Sequence, residues 1–196
     1  MNVYHMSETL RLGGQLVPDH QHCANLAQPF TQALERSVDC FYSMVLTGKY
    51  LRAVLGRSGL RAWSNYVKWS VEGAFEYIRK TQFPHLPSRL QCNYFYDSLP
   101  CCKLLFDYDW GEASEEERAA VRLFEVDLQD ENPLRLDMRL YDEAYEAMDG
   151  RQDVHAVLDC ARRYFAGEQS ADPVWELLSS RPAKAVKDIT AYLTGQ

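Results

Sequence analysis

Apolar side chains recur at three- and four-residue spacing between residues 24 and 55: Phe30, Leu34, Val38, Phe41, Val45 and Leu46, then Tyr50, Val54 and Leu55. That period predicts helix with one face turned to a core. Pro29 suits a first turn, and Gly48 marks a break in the pattern. A second helix is predicted over 67–80, where Val71, Ala74, Phe75 and Ile78 share a face. Residues 56–62, with Arg52, Arg57 and Arg61 nearby, form a basic connector that reads as a solvated face before it reads as a phosphate contact. Pro84 and Pro87 end the second helix and hold the chain extended.

Further on the period shortens. Residues 89–96 read as a short aromatic strand, and Asp97-Ser98 as the N-cap of a helix carrying Leu99, Cys102, Leu105 and Phe106. A brief first strand is predicted over 2–7, before a turn at Gly13-Gly14. Residues 121–128 form the clearest strand, and 134–140 lead through Asp137. A short helix is expected over 142–148, and a well-capped one over 153–165 between Asp153 and Gly167. Two late strands, 175–178 and 183–189, flank Arg181-Pro182. Helices fill the first half and strands gather later, which is an α+β pattern rather than alternating βαβ. The expectation is one domain over 1–196, with a helical insertion at about 24–82.

Composition narrows the function. The net charge of −7 argues against duplex binding, which needs a basic face. Six cysteines without a CxxC pair, and no signal-peptide pattern, predict reduced and mostly buried thiols in a cytoplasm. No apolar run reaches the ~20 residues of a membrane span. His20 and His22 have the spacing of a metal clip but no carboxylate or thiol framework, so no metal is expected. No Walker loop, GxGxxG, HExxH or GxSxG is present.

Several short segments, taken in order, resemble a known family. Tyr4-His5 followed by Leu10-Arg-Leu-Gly-Gly-Gln-Leu-Val-Pro18 resembles the opening of ADP-ribosyltransferase-like folds, as in the rifampin ADP-ribosyltransferases. Tyr94-Phe-Tyr-Asp-Ser-Leu-Pro-Cys-Cys102 is similar to that fold's second motif. Leu123-Phe-Glu-Val-Asp-Leu128, with Asp137 beyond it, resembles the strand and loop that follow. Glu76-Tyr-Ile-Arg79, Phe83 to Arg89, Arg163-Tyr-Phe-Ala-Gly167 and Trp175-Glu176 resemble an uncharacterised bacterial family of the same fold.

The resemblance implies a split β core holding NAD as a substrate, with no metal. Tyr4, His5, Met6, Arg89, Tyr96 and Ser98 would bind the cofactor. His5 would hydrogen-bond the adenosine ribose, and the Met6 backbone would face the nicotinamide amide. Tyr94 would stack on the nicotinamide ring. A carboxylate would stabilise the positive charge that builds on the ribose as nicotinamide leaves; Glu176 and Asp137 both match acids of such motifs. Arg89 has two readings, a bidentate diphosphate contact or a partner for an acidic side chain. The activity implied is transfer of ADP-ribose to an unidentified acceptor (protein, nucleic acid or small molecule), or hydrolysis of NAD. A toxin or effector role, acting in the cytoplasm of its own or another cell, belongs to the same reading. Its rival is a non-catalytic interaction module, with Phe41, Tyr42, Tyr50, Trp63, Tyr66 and Trp69 as a source of partner surface.

Overall fold

The computed structural model describes residues 3–18 and 20–195, with the side chains of residues 51, 52 and 55–62 left aside. Arg52, Arg57 and Arg61 are among those side chains; the backbone of residues 56–62, expected as a connector, is helical and belongs to α2, so the two predicted helices form one element. In chain order the first elements are β1 (Val3–Ser7), β2 (Gln15–Leu16), α1 (Gln21–Arg36), α2 (Val38–Gln82) and a 3-10 turn at Arg89–Gln91. β3 (Asn93–Phe95), α3 (Leu99–Asp109), α4 (Glu115–Ala120), β4 (Arg122–Leu128) and β5 (Leu134–Asp137) follow. The chain ends with α5 (Arg139–Glu146), a π turn at Ala147–Arg151, α6 (Val154–Phe165), β6 (Trp175–Ser179), β7 (Ala183–Asp188) and α7 (Ala191–Thr194). The protein is α+β.

These elements sort into two compact units. Met1–Asp19, Cys92–Leu136 and Val174–Gln196 form a sheet unit; His20–Gln91 and Asp137–Pro173 form a helical unit. The helical part is thus assembled from two chain segments, and the expected insertion over 24–82 is joined by 137–173.

In the helical unit the first break falls at Ser37, whose extended backbone separates α1 from α2 and whose side chain accepts the Cys40 N–H. Pro29 lies inside α1 rather than in a first turn. The helix starts at Gln21 without a side-chain cap, so the sequence carries no signal for its start. Gly48 is not a break either. A Cβ there would come within 2.4 Å of the Tyr66 ring, so glycine permits close packing. The Tyr66 hydroxyl donates to the Met44 carbonyl at 3.0 Å. A straight helix would hold those residues about 33 Å apart at ~1.5 Å per residue, so the two halves of α2 fold against each other. Gly73 plays a similar part where α1 crosses α2: its carbonyl accepts the Thr31 hydroxyl at 3.0 Å, and a Cβ would meet that of Phe30 at 2.5 Å. Phe75 anchors the core, meeting the rings of Tyr141, Tyr164 and Phe165 edge-on.

The sheet unit contains two antiparallel-paired sheets, ordered β1-β4-β7-β2 and β3-β6-β5. The predicted strand over 89–96 is shorter than expected. Ser88 turns the chain first, accepting the Leu90 N–H on its side chain and the Gln91 N–H on its carbonyl. The two late strands both form but join different sheets. Strand alternation gives each sheet face its own core. Val3, Phe95, Phe124, Val126, Leu177 and Ala185 share one cluster. Tyr4, Cys102, Phe106, Val121, Leu123 and Leu193 share the other, which takes in α3 and α7.

The six cysteines are all free thiols; Cys92, Cys102 and Cys160 are buried, and Cys40 is exposed. Among the described residues no helix is long and apolar enough to cross a membrane, and no His, Cys, Asp or Glu group is placed to hold a metal ion.

Candidate functional site

Three segments widely separated in sequence become neighbours in the sheet unit. β3 and β6 pair antiparallel, with Tyr94 opposite Leu178 and Phe95 opposite Leu177. β1 meets the residue after β3 through one reciprocal pair: the Tyr4 N–H donates to the Tyr96 carbonyl at 2.8 Å, and the Tyr96 N–H to the Tyr4 carbonyl at 2.9 Å. Beyond that pair the ladder between β1 and β3 stops. The His5 ring takes over, its Nδ1 lying 2.8 Å from the Tyr94 carbonyl oxygen. Alternate residues of a strand point their N–H and C=O the same way. Met6 therefore turns its backbone groups to the same side as Tyr4, towards the place where the strands part.

The chemistry of His5 follows from that bond. A carbonyl only accepts, so Nδ1 carries the proton and Nε2 is left as the acceptor. Burial lowers the His5 pKa, against the opposing pull of the Tyr94 carbonyl. A histidine whose folded pKa lies below its unfolded value of about 6.5 binds fewer protons when folded. Stability therefore rises with pH in the window below about 6.5 and levels off above it. Urea unfolding at pH 5 and pH 7.5 checks this: the difference in midpoint is expected to be smaller in His5→Gln than in the parent.

Glu176 sits on β6, 1% exposed. Continuing the register from Phe95 and Leu177 places it opposite Tyr96. Burial raises the Tyr96 phenol pKa strongly, and the neighbouring Glu176 charge adds to it. Tyr96 therefore stays protonated beside a buried carboxylate. Alternation puts Tyr4, Met6, Tyr96 and Glu176 on one face, while His5 takes the face of Phe95, its ring 5.7 Å from that of Phe95. Tyr4 is buried in the core against α3. Tyr94 is half-buried, and its carbonyl holds His5. Ser98 caps α3 as its position predicts, its side chain accepting the Cys101 N–H.

The remaining two predicted residues lie in the helical unit. Asp137 is fully buried, and its carboxylate accepts the Arg139 N–H at 3.1 Å and the Ser170 N–H at 2.7 Å. It ties down the turn after β5. Arg89 is 6% exposed and pairs with Glu72 at 3.3 Å. It also donates to the Tyr164 hydroxyl and lies over the Tyr141 ring, 4.5 Å from its centroid. Of its two readings, pairing with an acidic side chain is what the structure shows.

A family described as Protein of unknown function (DUF2441) matches residues 14–191. The chain belongs to that family. No curated protein matches the sequence. Members of DUF2441 are thus joined to this chain over both units, including β3, α3 and β6, while β1 with Tyr4, His5 and Met6 precedes the matched residues.

Sequence reasoning missed Arg135. Its Nε donates to Asp97 at 2.9 Å, and its guanidinium carbon lies 3.8 Å from the centroid of the Trp175 ring. The only local sign was the alternation Leu134-Arg-Leu-Asp137, which marks an outward residue without naming its neighbours.

Proposed function

We propose that the chain binds NAD where β1 and β3 part, and breaks the bond between nicotinamide and ribose. The observation that carries this reading is the adjacency of β6, β3 and β1, which sets the strands bearing Glu176, Tyr94 and His5 side by side, His5 on one face and Tyr94 and Glu176 on the other, although up to 171 positions separate them. In the proposed reaction the C–N bond breaks and its electron pair leaves with nicotinamide. The ribose carbon becomes an oxocarbenium-like cation, and an acceptor hydroxyl, amine or water attacks it and loses a proton. Glu176 would oppose the positive charge. Its burial strengthens the interaction, because a low local dielectric screens charge poorly. The unprotonated Nε2 of His5 suits a ribose hydroxyl as donor. The Met6 N–H and C=O suit a carboxamide, which offers one acceptor and one donor type.

A second reading, a non-catalytic interaction module, draws on α2. Val38, Tyr42, Leu46, Tyr50 and Val54 follow one another every four residues and are all exposed. Phe41 and Trp63 are buried, so they belong to packing rather than to a partner surface.

Incubating the protein with NAD and following nicotinamide release by chromatography separates the two readings. Release above the enzyme-free control is expected. Absence of both release and calorimetric NAD binding would overturn the NAD reading and leave the interaction module.

A further inference from the structure

Arg135 is held in place on two sides. Its hydrogen bond to Asp97 is made through Nε, and the guanidinium carbon lies 3.8 Å from the centroid of the Trp175 ring. The ring contact and a side-on carboxylate fix the orientation of a chain that would otherwise lose considerable rotamer freedom on binding. Nη1 and Nη2 make no hydrogen bond to the described residues, and the side chain is 44% exposed. What remains is a fork of N–H donors on a partly exposed side chain, the geometry that matches a phosphate or carboxylate bidentately. Trp175 shares a sheet face with Leu177, hence with Phe95 and His5. Asp97 immediately follows Tyr96, and Trp175 immediately precedes Glu176.

From this geometry we infer that Arg135 is the phosphate contact of the ligand site, taking the role that the sequence offered to Arg89. The class of ligand is a nucleoside diphosphate or a pyrophosphate ester, with the sugar towards His5. This rests on the proposed NAD site for the identity of the ligand, and on the Arg135–Trp175–Asp97 geometry for the anion contact itself. Arg135 is a positioning residue: it grips a part of the ligand remote from the bond that breaks.

Calorimetric titration of the full chain tests it, using ADP-ribose, nicotinamide riboside (which has no phosphate) and inorganic pyrophosphate. Arg135→Gln is expected to weaken ADP-ribose binding about 10- to 100-fold, the usual cost of losing a charged hydrogen-bond pair. Nicotinamide riboside binding should not change. Arg135→Lys should recover only part of the loss, since an ammonium lacks the fork. Circular dichroism and the thermal midpoint of each variant control for folding. Equal ADP-ribose affinity in Arg135→Gln and the parent overturns the inference while leaving the NAD site standing. Binding of pyrophosphate that depends on Arg135, without binding of ADP-ribose or nicotinamide riboside, keeps the anion contact and removes the NAD reading. A parent that binds none of the ligands overturns both.

Discussion

Glu176→Gln is expected to lower the rate of nicotinamide release by about 10²- to 10³-fold, the range seen when a preorganised electrostatic partner of a transition state is removed. The substitution keeps the shape of the side chain and removes its charge. Binding of NAD should change far less than the rate, because the opposing charge matters most when the ribose turns cationic. Asp137→Asn makes the contrast. That carboxylate accepts two backbone N–H groups in the helical unit, so its loss should lower stability and leave the rate per folded molecule near that of the parent. A Glu176→Gln protein that releases nicotinamide at the parental rate would remove this residue from the chemistry.

The largest effect on stability is expected at Arg89. Arg89→Ala leaves the Glu72 carboxylate buried without its cation and deprives the Tyr164 hydroxyl of a donor. Breaking a buried ion pair from one side costs about 3–5 kcal/mol. The rings of Phe75, Tyr141 and Tyr164 also lose the guanidinium they surround. The expected result is a urea midpoint well below that of the parent with the slope unchanged. Removing both charges together, as Arg89→Met with Glu72→Leu, should restore much of the loss, since apolar replacement of a whole buried pair is often neutral. ADP-ribose affinity of the folded Arg89→Ala protein should equal that of the parent. A loss of stability below about 1 kcal/mol would place the pair with the weak surface bridges.

The elements that were legible beforehand are those whose signals are local. Ser98 caps α3, Asp153 caps α6 and Gly167 adopts the positive φ that follows it, each within a few residues of the helix it bounds. The alternation of β4 likewise appears in the chain itself. Gly48 was misread because what it accommodates, the Tyr66 ring, is remote in sequence. Propensity sees a glycine as a helix breaker, whereas packing made it a point of close approach.

For the candidate site, the sequence determined which side chains could take part: a histidine on a first strand, an aromatic run before a capped helix, and an acid on a late strand. Tertiary structure decided which of them meet. Strand patterning fixes the alternation of faces but not the partner, so nothing local placed β6 beside β3 and β7 beside β4. The two arginines show the same limit. Residue type gives both an identical planar fork, but Arg89 finds Glu72 and an aromatic cage in the helical unit, and Arg135 finds Trp175 at the partly exposed start of β6. A charge takes its function from the groups that surround it in space, and those are fixed only when the chain folds.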